Sequence, residues 1–283
     1  VTVRECKNTI AKMLEEADIE SAFLEASIFI RKATAWTRTE ELMKDRDELD
    51  PALAEKALSM AKQRARHVPS AYITGEKEFY GRTFSVSPSV LIPRPDTETL
   101  IERALEEIDT HHSNKVLDLC TGSGAVGLTL LSERDIDITL TDISPEALAT
   151  AMLNKEHLLP ERKAVFCLGD LFDPIPGLKF DLIVSNPPYV TRAWYEKTEE
   201  EVKKEPTLAL IDYDEDGLGI IRRIIKGSLE ALNNGGVLMF ECDYRQTGDC
   251  AKILENSGFT DIFIQSDLSG KPRVAGGRLC TRS

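Results

Sequence analysis

The chain has 283 residues, of which 42% are hydrophobic and 29% charged, and a formal net charge of −13. At about 100–200 residues per domain this allows a large domain with a small companion, and the composition excludes a mainly disordered, collagenous or low-complexity chain. The charge is uneven, −1 over residues 1–75 and −12 over residues 76–283, which argues against tight nonspecific nucleic-acid binding and fits a small-molecule substrate or a basic protein partner.

Residues 1–70 read as helices. Ile10, Met13 and Leu14 follow helical spacing, as do Leu24 with Ile28 and Phe23 with Ile30. Asp50-Pro51 is a helix start, an N-cap followed by a proline at the first helical position, and Leu53, Ala57 and Met60 carry its apolar stripe. Residues 1–75 are expected to be a helical domain that docks a macromolecular substrate. EFYGRTFSVS then alternates aromatic and polar residues around Gly81, as a hairpin does, which makes residues 76–92 a hairpin linker. Pro93 and Pro95 flank Arg94 and stiffen the entry to a helix over about 96–108. The catalytic domain is expected over 93–283.

From residue 115 strands and helices alternate. Strands are predicted at 115–119, 137–142, 164–170, 180–186, 235–241, 261–267 and 278–282. Helices are predicted at GAVGLTLLSE, at 145–157 and at 217–232. This alternation implies an α/β fold, a mainly parallel sheet with helices on both faces. The stretch 196–206 reads as an exposed charged loop or short helix. The six cysteines (6, 120, 167, 242, 250 and 280) form no Cys-x-x-Cys pair, so neither a metal site nor a disulfide framework is expected. No apolar run reaches the length of a membrane span, and VTVRECKNTI lacks the apolar core of a signal peptide. A cytoplasmic monomer with reduced thiols is expected.

Four turns carry chemistry. The first, Cys120-Thr121-Gly122-Ser123-Gly124, joins a strand to a helix with residues small enough for close backbone approach to a ligand. No Gly-Lys-Ser/Thr follows, so it is no phosphate loop. Its glycine spacing matches a dinucleotide fingerprint, but Asp118 closes the strand and would repel a pyrophosphate. An acid there suits a ligand with a positive amino group. The second is Asp142, at the next strand end, where a carboxylate accepts from a ribose diol; a helix-end acid before Pro145 is the other reading. The third, Asp170-Leu171, can accept from an exocyclic amine and cover a flat base, or can simply be a turn. The fourth is Asn186-Pro187-Pro188-Tyr189 at the C-terminal edge of a strand. Its prolines fix the backbone, Asn186 offers an amide oxygen and Tyr189 a flat ring, a set that can hold a planar –NH2 group.

DLCTGSG, Asp142 and NPPY in this order resemble class I (Rossmann-like) S-adenosylmethionine-dependent methyltransferases that act on nitrogen. AYITGEKEFYG (71–81), LIPRPDTE (91–98), SNPPYV (185–190), EPTLAL (205–210) and DGL (216–218) are similar to the HemK/PrmC family, and the similarity covers nearly the whole chain. That resemblance implies methyl transfer from S-adenosylmethionine to the side-chain amide nitrogen of the glutamine in the GGQ motif of peptide chain release factors. It implies cofactor contacts at Cys120, Thr121, Gly122, Ser123, Gly124, Asp142, Asp170, Leu171 and Asn186. It puts the glutamine amide, and the catalytic role, at Asn186, Pro187, Pro188 and Tyr189. Two positions depart from the family pattern: Cys120 stands where glycine is common, and ECDYRQ (241–246) stands where Glu, an apolar residue and Gly are usual.

Alternative substrates are a ribosomal-protein glutamine or a nucleic-acid amino group, the latter disfavoured by the acidic catalytic part. A noncatalytic S-adenosylmethionine-binding scaffold is disfavoured by the intact NPPY. Nine acids between Glu196 and Asp216, offset by Lys197, Lys203 and Lys204, are expected to form an acidic rim that steers a basic partner.

Overall fold

The computed structural model describes residues 1–280. The chain divides into two units, Val1–Glu76 with Glu199–Lys204, and Lys77–Thr198 with Glu205 onward.

The first unit is helical: α1 (Val3–Glu15), α2 (Ala22–Thr34), α3 (Arg38–Met43), α4 (Pro51–Arg64) and α5 (Ser70–Thr74). Helix α4 starts as its sequence dictates, with Asp50 Oδ1 accepting from Ala52 N at 2.8 Å and Leu53 N at 3.3 Å. Ile10, Leu14, Phe29, Ile30, Ala57 and Met60 meet in its core. Phe23 and Leu24 do not join them; both are exposed. The buried stripe of α2 is Ala22, Ala26, Phe29, Ile30 and Ala33, and its three small alanines let the larger Phe23 and Leu24 mislead a hydrophobicity reading. Two buried glutamates tie the helices together. Glu41 accepts from Lys7 at 3.2 Å and Arg31 at 3.0 Å. Glu25 accepts from Arg64, which also pairs with Glu201.

In the second unit, β1 (Glu76–Phe79) and β2 (Arg82–Ser85) form the expected hairpin. Its turn residues Tyr80 and Gly81 both have positive φ, 48° and 69°, as the tight hairpin turn requires. It is more than a linker: Phe79 and Phe84 meet edge to face at 6.0 Å and join the core with Leu100 and Ile101. Helix α6 (Glu98–His111) follows one 3₁₀ turn at Pro95–Thr97.

The main sheet has seven strands: β3 (Lys115–Leu119), β4 (Asp137–Asp142), β5 (Val165–Leu168), β6 (Phe180–Ser185), β7 (Leu232–Glu241), β8 (Thr260–Ser266) and β9 (Pro272–Arg278). Their order is β5-β4-β3-β6-β7-β9-β8, parallel except for β9, which runs antiparallel to both neighbours. Between the strands lie α7 (Ala125–Glu133), α8 (Pro145–Leu158), the short α9 (Arg192–Tyr195), α10 (Gly219–Ala231) and α11 (Thr247–Asn256). Each face of the sheet buries its own apolar cluster, one around Val116, Leu128 and Val184, the other around Leu117, Ile183 and Ile224. Among the described residues, no helix is long and apolar enough to cross a membrane.

Two elements depart from the sequence reading. The last strand was expected at 278–282, but β9 ends at Arg278; residues 281–282 lie outside the described residues. Gly276 and Gly277 sit inside β9. A Cβ on Gly276 would lie 2.7 Å from Leu238 O and against the Phe263 ring, so crowding between β7 and β8 demands glycine there. Helix α11 was not foreseen. It has no side-chain N-cap and buries only Thr247, Cys250 and Leu254, too sparse a stripe to read from periodicity.

Asn154 on α8 knits three segments. Its Oδ1 accepts from Ser85 N at 2.7 Å, and its Nδ2 donates to Ser85 O at 3.0 Å and Ser123 O at 2.8 Å, all with the side chain fully buried. Replacing Asn154 with Ala strands these backbone groups, each at about 1–3 kcal/mol. Urea unfolding of Asn154→Ala should therefore show a loss of at least about 1 kcal/mol; an unchanged midpoint would refute the bracing role.

Candidate active site

The order of strands reverses at β3, so β3 and its neighbours β4 and β6 open a crevice at their C-terminal ends. Register makes the ends level: Leu119 pairs with Thr141 on one side and Ser185 on the other. The turns after β3, β4, β5 and β6 therefore deliver their residues to one edge. A cavity of about 330 Å³ lies there, within the range of small-molecule sites.

Most of the residues singled out from sequence form its wall. Cys120, Thr121, Gly122, Ser123, Asp142, Asp170, Leu171, Asn186 and Pro188 line it. Gly124, Pro187 and Tyr189 do not. Gly124 is the N-cap of α7. Tyr189 turns its hydroxyl to Glu241 Oε1 at 2.8 Å.

Asp118 organises the β3 turn. It is 1% exposed, and its Oδ2 accepts from Thr121 Oγ1 at 2.6 Å and from Gly127 N at 2.9 Å. Gly127 permits this: a Cβ there would lie 2.8 Å from that oxygen and 2.9 Å from Leu140. Cys120 occupies the left-handed region at φ 57°, which costs an ordinary residue about 1–2 kcal/mol. Burial pushes its thiol pKa up, and the carboxylate of Asp142 adds to that. The neutral thiol is a turn residue and no nucleophile.

Asp142 spans the crevice rim. Its Oδ2 accepts from Gly122 N at 2.8 Å and its Oδ1 from Ser144 N at 2.9 Å. It thus holds the glycine turn and the start of α8 together, as the helix-end reading of this acid expects. Asp170 accepts from Arg223 at 2.7 Å, a cavity-wall residue that sequence reading did not find. The other wall consists of apolar side chains, among them Val90, Leu91, Val126 and Ile143. Thr141 Oγ1, also in the wall, is buried without a hydrogen-bond partner. Three aspartates, one paired arginine and an orphan hydroxyl suit a hydroxyl-bearing ligand with a positive group and a flat apolar part. They do not suit a phosphate.

Asn186 Nδ2 donates to Thr97 Oγ1 at 3.2 Å, which directs its Oδ1 elsewhere as an acceptor. The motif is held from behind. Gln246 Nε2 donates to Tyr189 O at 3.0 Å and Asp216 O at 2.8 Å, giving the ECDYRQ departure a structural task. Gly217 must be glycine, since its φ is 70° and a Cβ would sit 2.5 Å from Tyr189 O. Glu205 is buried, pairing with Arg94 and accepting from Ile92 N at 3.0 Å. Asp212 is buried as well, accepting from Ile220 N at 2.6 Å and Asp214 N at 2.8 Å. These two acids brace the site, and the expected acidic rim loses both.

Burial raises the pKa of Asp118 to about 7, although its two hydrogen bonds pull it down. The unfolded value is about 3.9, so this group's share of stability is full below about pH 4 and is lost as pH rises through about 7. Asp118→Asn keeps an oxygen to accept both bonds and removes the titration. Urea unfolding should show wild type losing stability relative to Asp118→Asn between about pH 4 and 7; a pH-independent difference would contradict it.

Two family models match the chain, the PrmC N-terminal domain over residues 5–75 and the methyltransferase small domain over residues 96–205. Among solved structures, a T. thermophilus 16S rRNA N2 G1207 methyltransferase in complex with AdoMet and guanosine aligns at TM-score 0.53 and 18% identity. The alignment covers 72% of this chain and 49% of that one. A Pyrococcus furiosus methyltransferase aligns at TM-score 0.51 and 16% identity over 72% of this chain and 92% of its own. These two likenesses bear on the fold alone. A release factor glutamine methyltransferase of Clostridium acetobutylicum is 41% identical over 75% of each chain. One of Burkholderia pseudomallei is 37% identical over 98% of this chain and 99% of the relative. On these identities, sustained across its length, the chain belongs to the release factor glutamine methyltransferase family.

Proposed function

We propose that this protein transfers a methyl group from S-adenosylmethionine to the side-chain amide nitrogen of the GGQ glutamine of peptide chain release factors. The observation that carries the reading is the placement of Asn186 in the wall of an acid-lined cavity, its amide NH2 tied to Thr97 and its Oδ1 left to accept.

The residues present fit the cofactor. Asp142 suits the ribose hydroxyls, Leu171 and Ile143 a flat base, Asp170 an exocyclic amine, and the β3 turn near Asp118 the positive amino group. When bound, S-adenosylmethionine supplies a methyl group on a positively charged sulfur. What the chain contributes is position and electrostatics. An amide nitrogen is a poor nucleophile because its lone pair is delocalised. Asn186 Oδ1 and the Pro187 carbonyl accept the glutamine N–H bonds and orient that nitrogen. Pro187 and Pro188 keep the strand end rigid, and Tyr189 fixes the outer side of the motif. Asn186 is neutral and serves as no base.

Residues 1–75 are read as the domain that docks a second surface of the factor, since a glutamine side chain alone is not distinctive. A cytoplasmic location accords with a partner that works on ribosomes. The acidity of residues 76–283 speaks against nucleic acid as the acceptor.

A labelled-methyl assay offering release factor, ribosomal proteins and DNA side by side tests the reading. Label should enter release factor. Label confined to DNA or to a ribosomal protein would overturn it. Asn186→Ala should lower turnover on release factor by about 10²–10³, the cost of removing one positioned hydrogen-bonding group at a reacting centre. Wild-type turnover in that variant would remove Asn186 from the mechanism.

A further inference from the structure

The turn after β5 is gripped from outside by α10. Asp170 and Leu171 of this turn line the cavity, together with Ile220 and Arg223 of α10. Leu171 has φ 49°, in the left-handed region that brings a Cβ too close to the following carbonyl. A residue stays there only where its surroundings over-determine it. Three ties do so. Gly169 N donates to Asp142 O at 3.0 Å, which joins the turn to the end of β4. Arg223 Nη2 donates to Asp170 Oδ2 at 2.7 Å. Four residues further along α10, Gly227 lies so near the Phe172 ring that a Cβ would run into it. Arg223 and Gly227 are neighbours on one helix face, so α10 holds the chain on both sides of Leu171.

The pair of Arg223 and Asp170 is open to water, with side chains 52% and 37% exposed. A pair that open adds little to stability. Its consequence is the orientation it gives the carboxylate. Resting on the methyl-transfer reading above, we propose that Arg223 is a positioning residue that makes the cavity prefer a base with an exocyclic amine. By taking Oδ2, the guanidinium stops Asp170 from turning about its own side-chain bonds and leaves Oδ1 to accept from the amine. Two effects of Arg223 oppose each other. Its positive charge weakens Oδ1 as an acceptor. Its grip removes the ordering that a free side chain would undergo on binding, worth about two- to tenfold in affinity. Between groups this open to water the charge effect is small, so the gain from ordering prevails. Leu171 keeps its place through the other two ties, and Arg223 acts on the ligand through Asp170 alone.

The test is calorimetric titration with S-adenosylhomocysteine and with its analogue carrying hydrogen in place of the 6-amino group, neither of which needs a methyl acceptor. Wild type should bind the analogue at least about tenfold more weakly, the worth of one hydrogen bond to a charged acceptor. Arg223→Ala should raise the Kd for S-adenosylhomocysteine about two- to tenfold and leave that for the analogue within about twofold, so the discrimination narrows. Arg223→Lys keeps a cationic donor and should fall between the two. In an Asp170→Ala background, Arg223→Ala should cost less than about twofold, because its route of action is gone. Equal losses for both ligands would overturn the proposal, as would a full loss in that background or tighter binding by Arg223→Ala. A fall in stability that matches the lost affinity would make Arg223 a structural tie and overturn it too. If wild type binds both ligands equally, the role of Arg223 falls and methyl transfer stands. If wild type binds neither ligand, both fall. Transfer to an acceptor other than release factor would count against the function assigned above, while the titration would still decide the role of Arg223.

Discussion

Everything at the C-terminal edge of the sheet depends on one buried carboxylate. Asp118 Oδ2 takes a hydroxyl from Thr121 and a backbone N–H from Gly127, and so fixes the path from β3 into α7. Burial of this carboxylate is costly and pushes its pKa up. Asp142 completes the arrangement from the next strand by accepting from Gly122 N. Two acids on adjacent strands thus clasp one glycine turn.

The other half of the site is built differently. The NPPY turn is held by partners far away in sequence. Glu241 takes the Tyr189 hydroxyl, Gln246 takes its carbonyl, and Thr97 takes the Asn186 amide. All three partners are nearly fully buried, so water cannot substitute for them. Rigid placement of a neutral amide is what a reaction limited by orientation needs, since a flexible acceptor would spend its interaction on ordering itself. Buried Glu205 extends the same logic, fixing Arg94 and the backbone at Ile92 beside the cavity wall.

Local rules made much of this legible from sequence. The strands at 115–119 and 137–142 and the Asp50-Pro51 helix start obey them, and they fall where periodicity and capping place them. The cavity-wall residues Cys120 to Ser123, Asp142, Asp170, Leu171 and Asn186 were legible because parallel strands put their following turns on one edge. What escaped is nonlocal. Nothing in the sequence around Thr97, Asn154 or Arg223 announces a contact with Asn186, Ser123 or Asp170. Gly276 sits mid-strand because crowding across three strands, invisible in one dimension, excludes a side chain there. The acids after NPPY looked like a solvated face, yet Glu205 and Asp212 are internal ties. Charge density in sequence does not reveal which carboxylates find buried N–H partners.

The central claim is that the acid-lined cavity and Asn186 together direct a methyl group onto an amide nitrogen. Fragmentation mass spectrometry of release factor, after incubation with the protein and S-adenosylmethionine carrying a labelled methyl, tests it most directly. The account predicts a single labelled methyl on the side-chain nitrogen of the GGQ glutamine. A labelled methyl on a carboxylate, on a lysine or on the peptide backbone, with that glutamine unmodified, would contradict it.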